Sequence, residues 1–175
     1  SRLALVESDI PQKARIQGHL EQAVLDLCHG QHMDLAFRDS PPTPQQYTEM
    51  VLRKTGILLG AACKVDAMAA KQPDAVWARA ALFGEAFQYQ DDYLGVWGDA
   101  QALGKEPDDL AQRRWGIPVV LATEEDPQVR SWIGYPREDA RATELLERRL
   151  DALAIKKLAR AARGPCPGGY SSRAS

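Results

Sequence analysis

The sequence predicts an all-α fold, on three observations. Apolar residues recur at three- and four-residue steps through several long stretches, no run of useful length alternates apolar with polar residues, and the breaks carry helix-start signals. In residues 10–37 the apolar positions are Ile16, Leu20, Ala23, Val24, Leu27 and Cys28, the stripe of an amphipathic helix. "RDSPPTPQQ" interrupts it, with Thr43 as N-cap and Pro44 at the first helical position of a second helix. That helix is expected to run unbroken over 44–71, with Tyr47, Met50, Val51, Leu58, Ala61, Ala62 and Val65 on its apolar side.

"KQPD" ends it, and Asp74 is expected to cap a third helix over 75–97 that is rich in Ala, Leu and Phe. "GDAQALGKEPDDL" reads as a loop. A short apolar segment, "GIPVVLATEE", precedes a charged helix predicted over 137–163. Its Glu/Arg run at 137–149 is ion-paired surface, and Trp132 and Tyr135 are packing anchors before it. Residues 164–175, "GPCPGGYSSRAS", have no periodicity and read as a disordered tail. The expectation is one domain over 1–163, without internal repeats.

Composition narrows the function classes. With 45% hydrophobic and 26% charged residues in 175, the chain is long enough and apolar enough for a packed core. Its 22 basic and 24 acidic residues leave a net charge of -2, which gives no electrostatic case for nucleic acid or an anionic membrane. An anionic ligand would have to meet local cations. The three cysteines are odd in number and far apart, which argues against a disulfide framework and for a cytoplasmic location. No stretch is apolar for long enough to span a bilayer, and residues 1–10 lack a signal-peptide pattern.

One stretch stands apart: "FQYQDDYLGVWGD", residues 87–99, places Asp91 and Asp92 among aromatics. Ionised acids in such company need a cation or hydrogen bonds. On a helix, Gln88, Asp91, Asp92 and Gly95 fall on one side. Two carboxylates about 4–5 Å apart repel by roughly 3–4 kcal/mol at an effective dielectric of 20, and a divalent cation reverses that sign. Mg²⁺ suits hard oxygen ligands and completes its shell with water and phosphate. Taken alone, the pair reads first as the solvated end of an amphipathic helix, and only its company turns the reading toward a metal site.

The pair keeps company with "GQHMD" at 30–34, "KTG" at 54–56, "GD" at 98–99, "GK" at 104–105 and "DDL" at 108–110. Lys54 and Lys105 are the cations to place opposite a diphosphate. Gln88 can aim an amide oxygen at positive charge without quenching it. In this order and spacing the set resembles the second half of the trans-isoprenyl diphosphate synthases, the polyprenyl synthetase family, over roughly residues 1–150.

The resemblance implies part of an isoprenoid synthase-type helical bundle around an apolar cavity. It implies a Mg²⁺-dependent prenyl transferase that condenses an allylic diphosphate with isopentenyl diphosphate. Asp91 and Asp92 would hold Mg²⁺, Lys54 and Lys105 the allylic diphosphate. Thr55 and Gln88 would lie by the reacting carbon and Gln31 by the homoallylic substrate. A homodimer or hetero-oligomer is expected.

Departures from the pattern set further expectations. Gly95 falls where the motif's third Asp belongs, and Asp99, two turns on from Asp91, is the candidate replacement as a metal ligand. The family's first aspartate-rich motif has no counterpart here, so this polypeptide alone is expected to be inactive. Two alternatives stand beside the prenyl transferase. A non-catalytic helical partner subunit would fit the missing motif. A class I terpene cyclase fits less well, because no Asn-Ser-Glu-type metal motif is present.

Smaller features take plainer readings. Cys28, His32 and Asp34 lack the second ligand pair a zinc site needs. Arg113 and Arg114 are either diphosphate contacts or a solvated face. Tyr47, Met50, Phe83, Phe87 and Tyr89 are core or cavity lining.

Overall fold

The structure is a computed structural model that describes residues 13–70, 76–104 and 106–153. Every regular element among them is helical. Helix α1 spans Lys13–Ala36 and α2 spans Pro44–Val51. One wide π turn, Leu52–Gly56, joins α2 directly to α3, Ile57–Ala69. Then come α4 (Val76–Trp97), the single turn α5 (Ala100–Leu103), α6 (Ile117–Glu125), α7 (Pro127–Ile133) and α8 (Ala140–Ala152).

The start of α2 follows from its sequence. Gln46 N–H donates to Thr43 Oγ1 at 3.3 Å, and Thr43 N–H donates to Gln46 Oε1 at 2.9 Å, a reciprocal capping box with Pro44 just inside. The single helix expected over 44–71 is instead interrupted by the π turn at Leu52–Gly56. Such turns insert an extra residue into the helical count, and they recur at functional sites. This one carries Lys54 and Thr55.

Two close approaches fix the π turn. A Cβ on Gly30 of α1 would lie 2.7 Å from the Lys54 backbone nitrogen, and a Cβ on Gly84 of α4 would lie 2.7 Å from Gly56 Cα. Only glycine lets both neighbouring backbones come so near. Helices α1, α3 and α4 therefore cross around the turn.

Helix α6 explains why its segment reads as apolar all round. Val119 and Ala122 pack with Leu110, Val129, Ile133, Leu146 and Leu150 of one core cluster. Ile117 and Val120 pack with Phe37, Tyr47, Met50, Val51 and Tyr89 of a second. A helix buried on two sides has no wet face to make it amphipathic. Truncating a fully buried side chain such as Leu146 to Ala is worth about 2–5 kcal/mol.

The charged helix expected over 137–163 begins only at Ala140, where Asp139 caps it by accepting from Ala142 N–H at 3.0 Å. Residues beyond 153, including the tail 164–175, lie outside the described residues, as do Asp74 and Lys105. The sequence reading had no counterpart to α7, which Asp126 caps with Pro127 at its first position. A further correction concerns Phe83 and Phe87. They are 55% and 56% exposed, and among the described residues they belong to neither core cluster nor to the cavity described below.

Candidate functional site

The helices that meet at the π turn form one wall of a cavity of about 490 Å³. Asp34 comes from α1, Tyr47 and Met50 from α2, Lys54 from the π turn, and Gln88, Asp91 and Asp92 from α4. The opposite wall is the loop before α6, with Asp109, Arg113, Arg114, Trp115 and Gly116. Four acids and five bases line this space, so it is charged of both signs.

A chain of hydrogen bonds runs along the first wall. Thr55 Oγ1 donates to Gln88 Oε1 at 3.3 Å, and Gln88 Nε2 donates to Asp92 Oδ1 at 3.0 Å. Lys54 Nζ meets Asp34 Oδ2 at 2.7 Å, and Gln31 Nε2 donates to the same oxygen at 3.4 Å. Three stretches far apart in sequence are thus brought together by two sets of side-chain bonds that meet at the π turn. Gln31 and Thr55 are in this network without lining the cavity.

Asp91 and Asp92 occupy different environments. Asp91 is exposed on the cavity rim. Asp92 is 5% exposed and points inward, where it also accepts from Ile117 N–H at 2.9 Å and from the Tyr47 hydroxyl. Ile117 opens α6 after Gly116, an N-cap residue with no side chain to offer. A Cβ on Gly116 would stand 3.3 Å from Asp92 Cβ, so the glycine admits a cap supplied by another helix.

Burial dominates the electrostatics there. It pushes the Asp92 carboxyl from 3.8 up to about 6, against the pull of its three hydrogen-bond donors and with added repulsion from Asp109. The Tyr47 hydroxyl is held well above its ordinary value, first by burial and then by the charge of Asp92. Tyr89, whose hydroxyl pairs with Thr48 Oγ1 at 2.7 Å, is pushed up to about 12, chiefly by burial. All three donors to Asp92 are neutral groups.

Asp99 is not brought to this wall. It is exposed and caps α5, accepting from Gln101 N–H at 2.9 Å. Helix α4 ends at Trp97, before Asp99 can continue its stripe. The space a side chain at 95 would fill belongs to Asp109, whose Oδ2 lies 1.9 Å from a Cβ built on Gly95. Asp109 also pairs with Arg114 at 3.1 Å and sends its own N–H to Gly95 O at 3.2 Å. Sequence reading noted "DDL" without seeing this, since no spacing rule places residue 109 against residue 95.

Arg113 lines the cavity with its donors already committed to the protein. Its backbone is left-handed, with φ 54°, and its guanidinium donates to the carbonyls of Leu110, Tyr135, Pro136 and Asp139 and to Thr143 Oγ1. Cys28 and His32 are exposed, and Asp34 belongs to Lys54.

The donor set fits a hard cation. Mg²⁺ commonly takes one or two carboxylates, with waters and phosphate oxygens completing its shell. Asp91 offers an accessible carboxylate beside Asp92, whose hydrogen-bond partners among the described residues are all neutral. Among the described residues no three His, Cys, Asp or Glu side chains form a ready ligand cluster.

Comparison with known proteins agrees with this arrangement. The profile of the Polyprenyl synthetase family matches residues 3–149. A geranylgeranyl diphosphate synthase of Mycobacterium tuberculosis is 39% identical over 109 residues, which cover 59% of this chain and 31% of that protein. A short chain isoprenyl diphosphate synthase of Methanocaldococcus jannaschii is 38% identical over 90 residues, covering 49% of this chain and 28% of that protein. The solved geranylgeranyl pyrophosphate synthetase of Pyrococcus horikoshii superposes with a TM-score of 0.79 at 25% identity, covering 91% of this chain and 52% of its own. The chain thus spans about half the length of that solved relative, and less than a third of the two curated ones.

Proposed function

The chain belongs to the polyprenyl synthetase family, and from that premise we propose that it forms one wall of a site where an allylic diphosphate is lengthened by isopentenyl diphosphate. The observation that carries this reading is one cavity wall that holds Lys54, paired with Asp34, and the Thr55–Gln88–Asp92 hydrogen-bond chain beside the accessible Asp91.

In this reading Lys54 exchanges Asp34 for a phosphate oxygen and holds the leaving diphosphate as a point charge. Lys105 joins it from outside the described residues. Gln88 presents an amide whose orientation is set at both ends, by Thr55 and by Asp92, so it meets developing positive charge without rearranging. Gln31 serves the homoallylic substrate from α1. Asp91, with Asp92 behind it, is the carboxylate that would hold Mg²⁺; when bound, the ion supplies charge stabilisation to the departing diphosphate. Asp92 positions the wall by tying α2, α4 and α6 together.

A second reading has its own observation. Leu59 of α3 lies against Gly84 of α4, and with Phe83 and Phe87 it leaves exposed apolar surface on the outer side of the bundle. Contiguous apolar surface of this kind suits a further helical layer, from a second copy or a partner subunit. On this reading the chain is a helical partner that needs no ligand of its own.

Calorimetry with geranyl diphosphate separates the two. Binding that requires Mg²⁺ and disappears in Asp91→Ala is expected. No Mg²⁺-dependent heat from the folded chain would overturn the prenyl transferase reading and leave the partner subunit.

A further inference from the structure

Arg53 and Lys54 stand side by side in the π turn, yet they leave it toward two different acids of α1. Arg53 Nη1 meets Asp26 Oδ1 at 3.0 Å, and Lys54 Nζ meets Asp34 Oδ2 at 2.7 Å. Asp26, Gly30 and Asp34 follow at four-residue steps and share one face of α1, with about 12 Å of helix axis between the two acids. Gly30, midway, is where the turn's backbone seats: a Cβ there would lie 2.7 Å from the Lys54 nitrogen and 3.0 Å from the Arg53 carbonyl carbon. We propose that Asp26 and Arg53 are positioning residues for Lys54. Their ion pair, outside the cavity, fixes the turn on α1 so that Lys54 and not Arg53 is the cation presented to an anionic ligand.

The two pairs differ in how firmly they hold. Arg53 also meets Glu49 of α2 at 3.0 Å, so two carboxylates on two helices grip one guanidinium. Its side chain is 28% exposed and that of Asp26 22%, and neither is among the described residues that line the cavity. Lys54 and Asp34 are 35% and 38% exposed, and both line it. Among the described residues Lys54 meets one carboxylate, on an oxygen that also accepts from Gln31 Nε2 at 3.4 Å. The outer pair is therefore the anchor, and the inner pair is the one an incoming anion can open.

The choice of cation matters because the two bind anions differently. A guanidinium offers a rigid fork, and an ammonium offers a compact charge on a flexible stem. Freed from Asp26, Arg53 would compete with Lys54 for Asp34 and for any anion, and its charge would repel the ammonium. With Asp26 and Glu49 in place, Arg53 is committed on the other side of Gly30, and of the two cations Lys54 alone lines the cavity. Asp26 and Arg53 touch no ligand in this arrangement. Both act through Lys54.

For the ligand, the inference rests on the proposed diphosphate role of Lys54. Mg²⁺-dependent binding of geranyl diphosphate is expected to weaken about threefold in Asp26→Asn and to recover in Asp26→Glu. The deciding test needs neither metal nor ligand. The full chain is acetylated with acetic anhydride, the labelled lysines are mapped by mass spectrometry, and Lys54 is scored against Lys64 of α3. Lys54 is expected to label about threefold faster in Asp34→Asn, which removes its own partner, and about twofold faster in Asp26→Asn, which does not touch it, as half-exposed ion pairs are worth. Asparagine keeps the shape of the side chain and removes its charge, and circular dichroism confirms that each variant is folded. Asp26→Glu, which keeps the carboxylate, is expected to restore the parent ratio. An unchanged ratio in either Asn variant, whether both lysines stay slow or both speed up together, overturns the proposal. If the parent binds no diphosphate, the role of Lys54 falls, while the labelling ratio still decides whether Asp26 and Arg53 position it.

Discussion

Two acids are buried in the described structure, Asp92 at 5% and Asp126 at 8% exposure, and they are built alike up to a point. Each accepts a backbone N–H at the start of a helix, Asp92 from Ile117 of α6 and Asp126 from Gln128 of α7. There the likeness ends. Asp126 Oδ2 also meets the Arg149 guanidinium at 2.6 Å, and its carboxyl is held below the ordinary 3.8 by its backbone donor and that cation. Asp92 has neutral partners alone, and burial pushes it up to about 6. Burial by itself thus does not distinguish a structural acid from one set beside a ligand cavity. The charge of the partners does.

The largest effect expected from this difference is in truncation. Asp92→Ala strands the Tyr47 hydroxyl and the Ile117 N–H in the core, and it is expected to destabilise the chain by about 2–4 kcal/mol. Asp126→Ala exposes its partners to water more readily and should cost clearly less. Urea midpoints of the two variants measure the gap. Equal losses would break the comparison.

Next in size is the notch at Gly95. A Cβ there collides with the Asp109 carboxylate, so Gly95→Ala is expected to cost about 1–3 kcal/mol despite the better helix propensity of Ala. Asp109→Ala should relieve most of that loss in the double variant. It should also lower the Asp92 carboxyl, because Asp109 is one of the groups that raise it. Independent, additive effects in the cycle would show that Asp109 does not fill the space.

Much of the frame was legible in the sequence. Thr43 and Pro44 announced the start of α2 by identity and position alone, three- and four-residue periodicity located α1, and richness in Ala, Leu and Phe marked α4. Motif order brought Gln31, Lys54, Thr55, Gln88 and Asp91 to attention before any contact was known. What stayed hidden depends on groups distant in sequence. Asp92 owes its burial to Tyr47, 45 residues earlier, and to a backbone N–H 25 residues later. Asp109 reaches Gly95 only because the loop before α6 folds back. The π turn at Leu52–Gly56 leaves no mark on a periodicity that tolerates a shift of one residue. Asp99 shows the reverse case: spacing along an ideal helix put it in line with Asp91, whereas α4 ends at Trp97 and Asp99 caps α5.

The smallest predicted effect is in the pH dependence, and there the two acids have opposite signs. A carboxyl raised from 3.8 to about 6 binds more protons in the folded state, so its contribution is present in full below 3.8 and is lost as pH rises through 6. Asp92 should therefore make the chain about 1 kcal/mol more stable at pH 5 than at pH 7, a slope that Asp92→Asn removes while sparing the fold better than Ala. Asp126, held low, contributes above 3.8 and loses that contribution only as pH falls through its lowered value. Between pH 5 and 7 it adds no slope, and Asp126→Asn should leave the wild-type difference in place. Urea midpoints of the metal-free chain at the two pH values read this directly. If stability instead rises from pH 5 to pH 7 in the parent and falls flat in Asp92→Asn, the charged form of Asp92 is the favoured one. A cationic partner would then have to lie beside it, and the contrast with Asp126 would dissolve.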